Sequence, residues 1–295
     1  MDVHGICRAG FEPVRDALLA NFEKGLEVGA SVAVTRDGET MVDLWAGDAD
    51  PKGTPWAEDT IVNVYSTTKT MAATCVLMLA DRGLVDLNAP VADYWPEFKQ
   101  NGKEGVLVRH IMSHSAGLSG FDPPLASVEE LYDWEAICAR LAAQTPWWEP
   151  GTASGYHAVT QGFLQGEIVR RVTGRSIGTF FREEIAEPLG ADFHIGLDPS
   201  HDDRVGELIP PEGPPRVPTP EPGSVAARMA EGAAMDATEP QTSPWRRAEI
   251  PAAGGIGNAR SVARLHTALA RSLINIRRCR RRGRGVGGGG GGGVG

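Results

Sequence analysis

The chain of 295 residues has only four cysteines, and they form no Cys-x-x-Cys pair and no other metal-ligand spacing. Cys7, Cys75, Cys138 and Cys279 therefore require neither a disulfide framework nor a zinc site, and no cofactor is expected. Long apolar runs are missing too, and no stretch approaches the length of a membrane span. Residues 1–11 have no basic start followed by an apolar run, which argues against a secretory signal and for a cytoplasmic protein. Positive charge is in deficit. The net of −9 argues against nucleic acid as a partner, because phosphate binding needs basic surface. Regular βαβ alternation is absent as well, which excludes a Rossmann-type sheet.

What remains is an ordinary globular composition, 41% hydrophobic and 23% charged. Within it, Ser66-Thr67-Thr68-Lys69 breaks a local rule. The residues that follow, Thr70 to Arg82, are apolar and helix-forming, so Ser66 falls at or just before a helix start. Hydroxyl side chains suit that place because they cap free N–H groups. A lysine in the first turn opposes the helix dipole, by roughly 0.3–1 kcal/mol. Positions i and i+3 share a helix face, so Lys69 can reach the Ser66 hydroxyl. Burial and the positive helix end both push such a lysine toward the neutral amine, which can activate a serine nucleophile. The alternative for these four residues alone is a serine cap followed by a solvated lysine.

Elsewhere, Phe11 to Lys24 has helical spacing, and Arg36-Asp37-Gly38-Glu39 between two apolar runs predicts a hairpin of Ser31–Thr35 with Thr40–Trp45. Ile61 to Tyr65 reads as a short strand, and Gly83 as the stop of the helix after Ser66. Val108 to Met112 begins another apolar segment, which ends near Ser115-Ala116-Gly117. Helices are expected over Val128–Ala143 behind a Ser127 cap, over Tyr156–Thr173 and over Ile177–Ala186, the last ending before Pro188. Asp198 to Pro222 reads as an irregular loop and Ala252 to Asn258 as a Gly-rich turn. A helix follows from Ser261 to about Leu273. The order suits an α+β protein in which an antiparallel sheet packs beside a mostly helical region.

Several segments together resemble the serine β-lactamase and penicillin-binding-protein superfamily, and within it the β-lactamase-like family VIII carboxylesterases. They are Ser66-Thr67-Thr68-Lys69, the run Val108-Arg109-His110-Ile111-Met112-Ser113-His114-Ser115-Ala116-Gly117-Leu118, the stretch from Pro150-Gly151-Thr152 through Tyr156 to Gly166-Glu167-Ile168-Val169, and Gly255-Ile256-Gly257-Asn258-Ala259-Arg260-Ser261. The resemblance implies a β-lactamase/transpeptidase-like fold over residues 11–270, with Ser66 as nucleophile and Lys69 and Tyr156 handling protons. A phenol beside an ammonium can be drawn toward phenolate and then act as base.

The departures from the pattern matter as much. Tyr156 is followed by His157 and Ala158, where β-lactamases usually have Ser and Asn, which favours an ester over a β-lactam substrate. His157 is read as a surface or capping residue, and His110 and His114 as structural. The third motif of the superfamily, a Lys, His or Trp followed by any residue and Gly, is not found after Ser261. His194-Ile195-Gly196 and Trp45-Ala46-Gly47 fit its letters but fall in the wrong places. After Leu273 the likeness stops, and residues 271–295 become an Arg/Gly-rich tail expected to be disordered, such as a reading-frame change in a GC-rich gene produces. The expected domain would then lack its C-terminal strands, leaving the hairpin with unpaired edge groups and one apolar face uncovered. The implied function is hydrolysis of small carboxylic esters. The alternatives are a catalytically impaired chain, or β-lactamase or D-alanyl peptidase activity.

Overall fold

The computed structural model describes residues 1–210, 219–231 and 238–282, the side chains of 272–282 excepted. The Asp37-Gly38 turn adopts positive φ at both residues, 56° and 90°, the backbone a two-residue hairpin turn needs to match strand twist. It joins β2 (Gly29–Arg36) to β3 (Glu39–Gly47). A third strand, β1 (Val3–Cys7), carries no clear signal in the sequence and pairs antiparallel with the far side of β3, giving the order β1-β3-β2. Helix α1 (Glu12–Glu23) lays Val14, Leu18 and Phe22 against Val32, Val34, Val42 and Leu44 on one face of this sheet.

β4 (Val62–Asn63) leads into α2 (Thr68–Asp81), which buries Met71, Ala72, Cys75, Val76 and Leu79 and gives way to Gly83 at a φ of 72°. α3 (Val108–Met112) follows. The helix expected over Val128–Ala143 is broken in two, a 3₁₀ stretch at Val128–Tyr132 and then α4 (Trp134–Ala143). The break falls at Asp133, which leaves helical geometry and caps α4 by accepting the Ala136 N–H at 3.0 Å. α5 (Thr160–Thr173) starts after Tyr156 rather than at it, and stops at Gly174, φ 72°.

Beyond it, α6 (Ile177–Phe181) widens into a π turn over Arg182–Ala186 and continues as α7 (Glu187–Leu189) until Gly190, φ 58°. Pro188 was expected to stop the helix. The wider turn changes which carbonyls need an N–H partner, so a residue without one can be passed. Three further short elements, β5 (Phe193–Ile195), α8 (Val225–Glu231) and α9 (Ser243–Arg247), precede β6 (Gly255–Gly257).

β6 corrects the expectation of a Gly-rich turn, because these residues form the centre of a second antiparallel sheet, β4-β6-β5. Its glycines serve close approach. A Cβ on Gly255 would fall 2.4 Å from Thr68 Oγ1, and one on Gly257 2.5 Å from Phe193 Cδ2. The main core, with Met71, Phe163, Phe180, Phe181 and Trp245, lies among the helices between the strands of this second sheet and α4.

The last element, α10 (Ala259–Arg282), returns to the first sheet. The Thr35 and Thr267 hydroxyls meet at 2.6 Å, and Arg260 Nε donates to Asp43 at 2.5 Å. Both faces of the hairpin are therefore covered, by α1 and α10, where one was expected to be bare. The outer edge of β2 has no strand neighbour among the described residues. Of the tail expected over 271–295, the backbone is helical to Arg282, and 283–295 lie outside the described residues. Among the described residues no helix is long and apolar enough to cross a membrane. The architecture is α+β, as the sequence indicated, with two small antiparallel sheets in place of one.

Candidate active site

Two residues after β4 the chain turns sharply. Tyr65 takes a φ of 43°, a left-handed conformation that costs a non-glycine residue roughly 1–2 kcal/mol, and a 3₁₀ turn over Tyr65–Thr67 carries Ser66 ahead of α2. The second sheet holds this turn from both sides. Val64 N–H donates to Gly255 O at 2.9 Å, and Gly255 N–H donates to Thr68 Oγ1 at 2.9 Å. Beneath it, the buried Asn63 side chain donates to Ala253 O at 3.2 Å and accepts the Trp245 indole N–H at 3.0 Å. The N-cap of α2 is Thr67, so Ser66 is not the cap.

Three segments distant in sequence meet at Ser66 Oγ. Lys69, in the first turn of α2, brings its Nζ to 3.1 Å from that oxygen. The same Nζ donates to Ala158 O at 2.6 Å and to Ala252 O at 2.8 Å, so all three hydrogens of an ammonium have acceptors. Burial pulls the Lys69 pKa below the ordinary lysine value, and Tyr156 opposes the shift. The Tyr156 hydroxyl donates to Ser66 Oγ at 2.7 Å, with its ring 4.9 Å from Lys69 Nζ. Tyr156 is 46% exposed and sits on the loop before α5. Ser66, Lys69 and Tyr156, the three residues singled out in the sequence, thus come together.

The histidines divide differently. His157 was read as a surface or capping residue, but it is fully buried. Its Nε2 accepts the Leu118 N–H at 3.2 Å, so its proton is on Nδ1, which donates to Gly155 O at 2.6 Å. Burial lowers its pKa to about 4, against the pull of that carbonyl, and holds the ring neutral. His110 accepts the Leu107 N–H at 3.2 Å and so secures the start of α3. His114 packs beside Tyr156, ring centroids 5.0 Å apart. His194, in the first of the two misplaced motif matches, binds Asp192 at 2.8 Å, and Trp45-Ala46-Gly47 ends β3.

What sequence reasoning missed are the backbone groups. The carbonyls of Ala158 and Ala252 have no side-chain signature. The only trace is glycine: Gly162 faces Ala252, and the Gly254-Gly255 pair follows it. A groove of about 1020 Å³ runs between β2, α10 and the Tyr65–Thr67 turn, lined by Ser31, Val64, Asn258 and Val262 among others. It reaches Thr67 but not Ser66, Lys69 or Tyr156.

Small antiparallel sheets around a helical core, with Ser-x-x-Lys at the head of a central helix, define the β-lactamase-like class. The structure is similar to that of a family VIII carboxylesterase, with a TM-score of 0.84 and 48% identity over 92% of this chain and 72% of the other. It matches a penicillin-binding-protein homologue from Caulobacter crescentus with the same TM-score and coverages, at 44% identity. The Beta-lactamase family model matches residues 18–293, and the chain belongs to that family. Among curated relatives, Esterase/beta-lactamase LipL of Mycobacterium tuberculosis is 42% identical over 254 residues, which are 82% of this chain and 58% of LipL. Esterase EstB of Burkholderia gladioli is 31% identical over 182 residues, 55% of this chain and 45% of EstB. The chain thus spans about half the length of these two relatives.

Proposed function

We propose that this chain is a serine hydrolase that cleaves small carboxylic esters through an acyl-enzyme on Ser66. The observation that carries the reading is the convergence of Lys69 Nζ and Tyr156 Oη on Ser66 Oγ, at 3.1 and 2.7 Å. Ser66 Oγ attacks the ester carbonyl, and its proton passes to the Lys69–Tyr156 pair. The Ser66 N–H, at the head of α2, supplies one donor to the oxyanion. Collapse of the tetrahedral intermediate breaks the bond to the alcohol oxygen, which leaves with the proton the pair has held. Water then attacks the acyl group, gives its proton to the same pair, and Ser66 regains it as the acid departs.

The relatives named as esterases support an ester substrate, as does His157-Ala158 after Tyr156 in place of the Ser and Asn usual in β-lactamases. A competing reading, a chain of impaired turnover, rests on the lack of a Lys/His/Trp-x-Gly motif after Ser261. Loss of one oxyanion donor costs ~10²–10³ in rate. A fluorophosphonate probe followed by peptide mass spectrometry tests both. The hydrolase reading expects the label on Ser66, absent in Ser66→Ala, together with p-nitrophenyl butyrate turnover that Ser66→Ala abolishes. A label without turnover, or no label at Ser66, supports the impaired chain and overturns the hydrolase reading.

A further inference from the structure

Tyr156 has no helix or strand to hold it, yet its hydroxyl must be kept on Ser66. The residues on either side of it are bound instead, and both to one partner. Gly155 N–H donates to the His114 carbonyl at 3.1 Å, and His157 N–H donates to His114 Nδ1 at 3.0 Å. The Ser154 hydroxyl reaches the same carbonyl at 3.4 Å. Between these two anchors the Tyr156 ring lies against the His114 ring, centroids 5.0 Å apart and planes tilted by 50°. His114 offers carbonyl, ring nitrogen and ring face together from a left-handed backbone, φ 61°, a conformation in which histidine is enriched among non-glycine residues.

We propose that His114 is the positioning residue of Tyr156, fixing the height and tilt of the phenol over Ser66 by accepting the N–H on either side of it and packing against its ring. The inference rests on the hydrolase reading above. Acceptance at Nδ1 requires a neutral ring with its proton on Nε2. Burial and the nearby Lys69 charge both disfavour a second proton there. Its other neighbour, the His157 ring at 5.5 Å, is itself neutral and adds no charge. The second anchor is firm because His157 is fixed in turn, through Leu118 N–H and Gly155 O. The hydrogen bonds to Ser66 Oγ come from Lys69 and Tyr156, not from His114. It acts through Tyr156, and a displacement of about 1 Å at such a group can cost ~10²-fold in rate.

Two variants separate this role from mere support of the fold. His114→Phe keeps a ring and removes the Nδ1 acceptor. His114→Asn loses the ring but places Oδ1 the same two bonds from Cβ as Nδ1, and asparagine tolerates left-handed backbone. With p-nitrophenyl butyrate, kcat of His114→Phe should fall ~10–100-fold with KM within about twofold, and His114→Asn should recover most of that loss. A crystal structure of His114→Phe should show Tyr156 Oη moved off Ser66 Oγ. Wild-type kcat in His114→Phe, equal losses in the two variants, or an unchanged Tyr156–Ser66 distance would overturn the proposal. Where His114→Phe fails to fold, His114→Asn decides: near wild-type kcat supports the assignment and a loss of 10-fold or more ends it. If the wild-type chain neither turns over ester nor labels at Ser66, the hydrolase reading fails, and the crystallographic distance still decides the role of His114.

Discussion

Gly162 of α5 lies directly against the backbone of Ala252: a Cβ on it would fall 2.4 Å from Ala252 N and 2.5 Å from Pro251 C. Ala252 O is one of the two carbonyls that hold Lys69 Nζ. The missing side chain of one helix therefore sets how closely a distant turn approaches the lysine.

Gly162→Ala should show this. In an exposed helix the change would gain about 1 kcal/mol. Here the clash is with backbone and should cost ~1–3 kcal/mol instead, with kcat falling as the Ala252 carbonyl is pushed from Lys69. Thermal melts and ester turnover measure both. Gly105→Ala, where a Cβ meets nothing within 4 Å, serves as the neutral control. A stabilised and fully active Gly162→Ala would remove Ala252 from the site.

The lowered pKa of Lys69 fixes the direction of a pH–rate profile. Burial disfavours its ammonium, so a neutral amine becomes available at lower pH than for a free lysine. Turnover should persist at neutral pH and fall as acid protonates the Lys69–Tyr156 pair, the apparent pKa belonging to the pair. A rate flat from acid to alkaline pH, with chemistry limiting, would contradict the roles of both residues.

Stability should have its own pH dependence through His157. Its pKa is depressed from 6.5 to about 4 by burial, so between those values the unfolded chain binds a proton that the folded chain does not. The folded state is therefore unpenalised above about pH 6.5, loses stability as the pH falls toward 4, and by then has lost on the order of 3 kcal/mol. In His157→Gln that part of the slope should vanish from urea-melt midpoints measured across the range.

Glu167 offers a test remote from the chemistry. Its buried carboxylate accepts Trp134 Nε1–H at 2.9 Å and three bonds from Arg170 and Arg171, each at 2.7 Å. Burial alone would raise its pKa, but the two guanidiniums outweigh that and hold it below the usual value. Glu167→Ala removes the acceptor of the Trp134 N–H, leaves Arg170 without its carboxylate and leaves Arg171 with Glu97 alone, which should cost about 3 kcal/mol in urea unfolding. Turnover per folded molecule should be unchanged.

Much of this architecture was legible because it is local. The Asp37-Gly38 turn, the α2 periodicity and the Gly83 and Gly174 stops are written in neighbouring residues, and Ser66, Lys69 and Tyr156 stood out by residue type and by likeness. What could not be read depends on partners far along the chain. β6 looks like a turn because its glycines answer to Thr68 and Phe193 rather than to their own neighbours. His157 looks like a surface residue because the Leu118 and Gly155 groups that satisfy it come from packing as well as sequence. Tyr156 looks helical by spacing, but its flanking N–H groups are taken by His114.

The ligands of Lys69 also carry a consequence for the order of folding. Its amine contacts residues 3, 89 and 183 positions away in sequence. Contacts of such separation require large loops to close before they form, and chains dominated by them fold slowly. On the hydrolase reading, labelling of Ser66 should then report the last event rather than the first. In a refolding time course, helical signal should return before fluorophosphonate labelling does, the lag being the time the Ala252 turn takes to dock on α2.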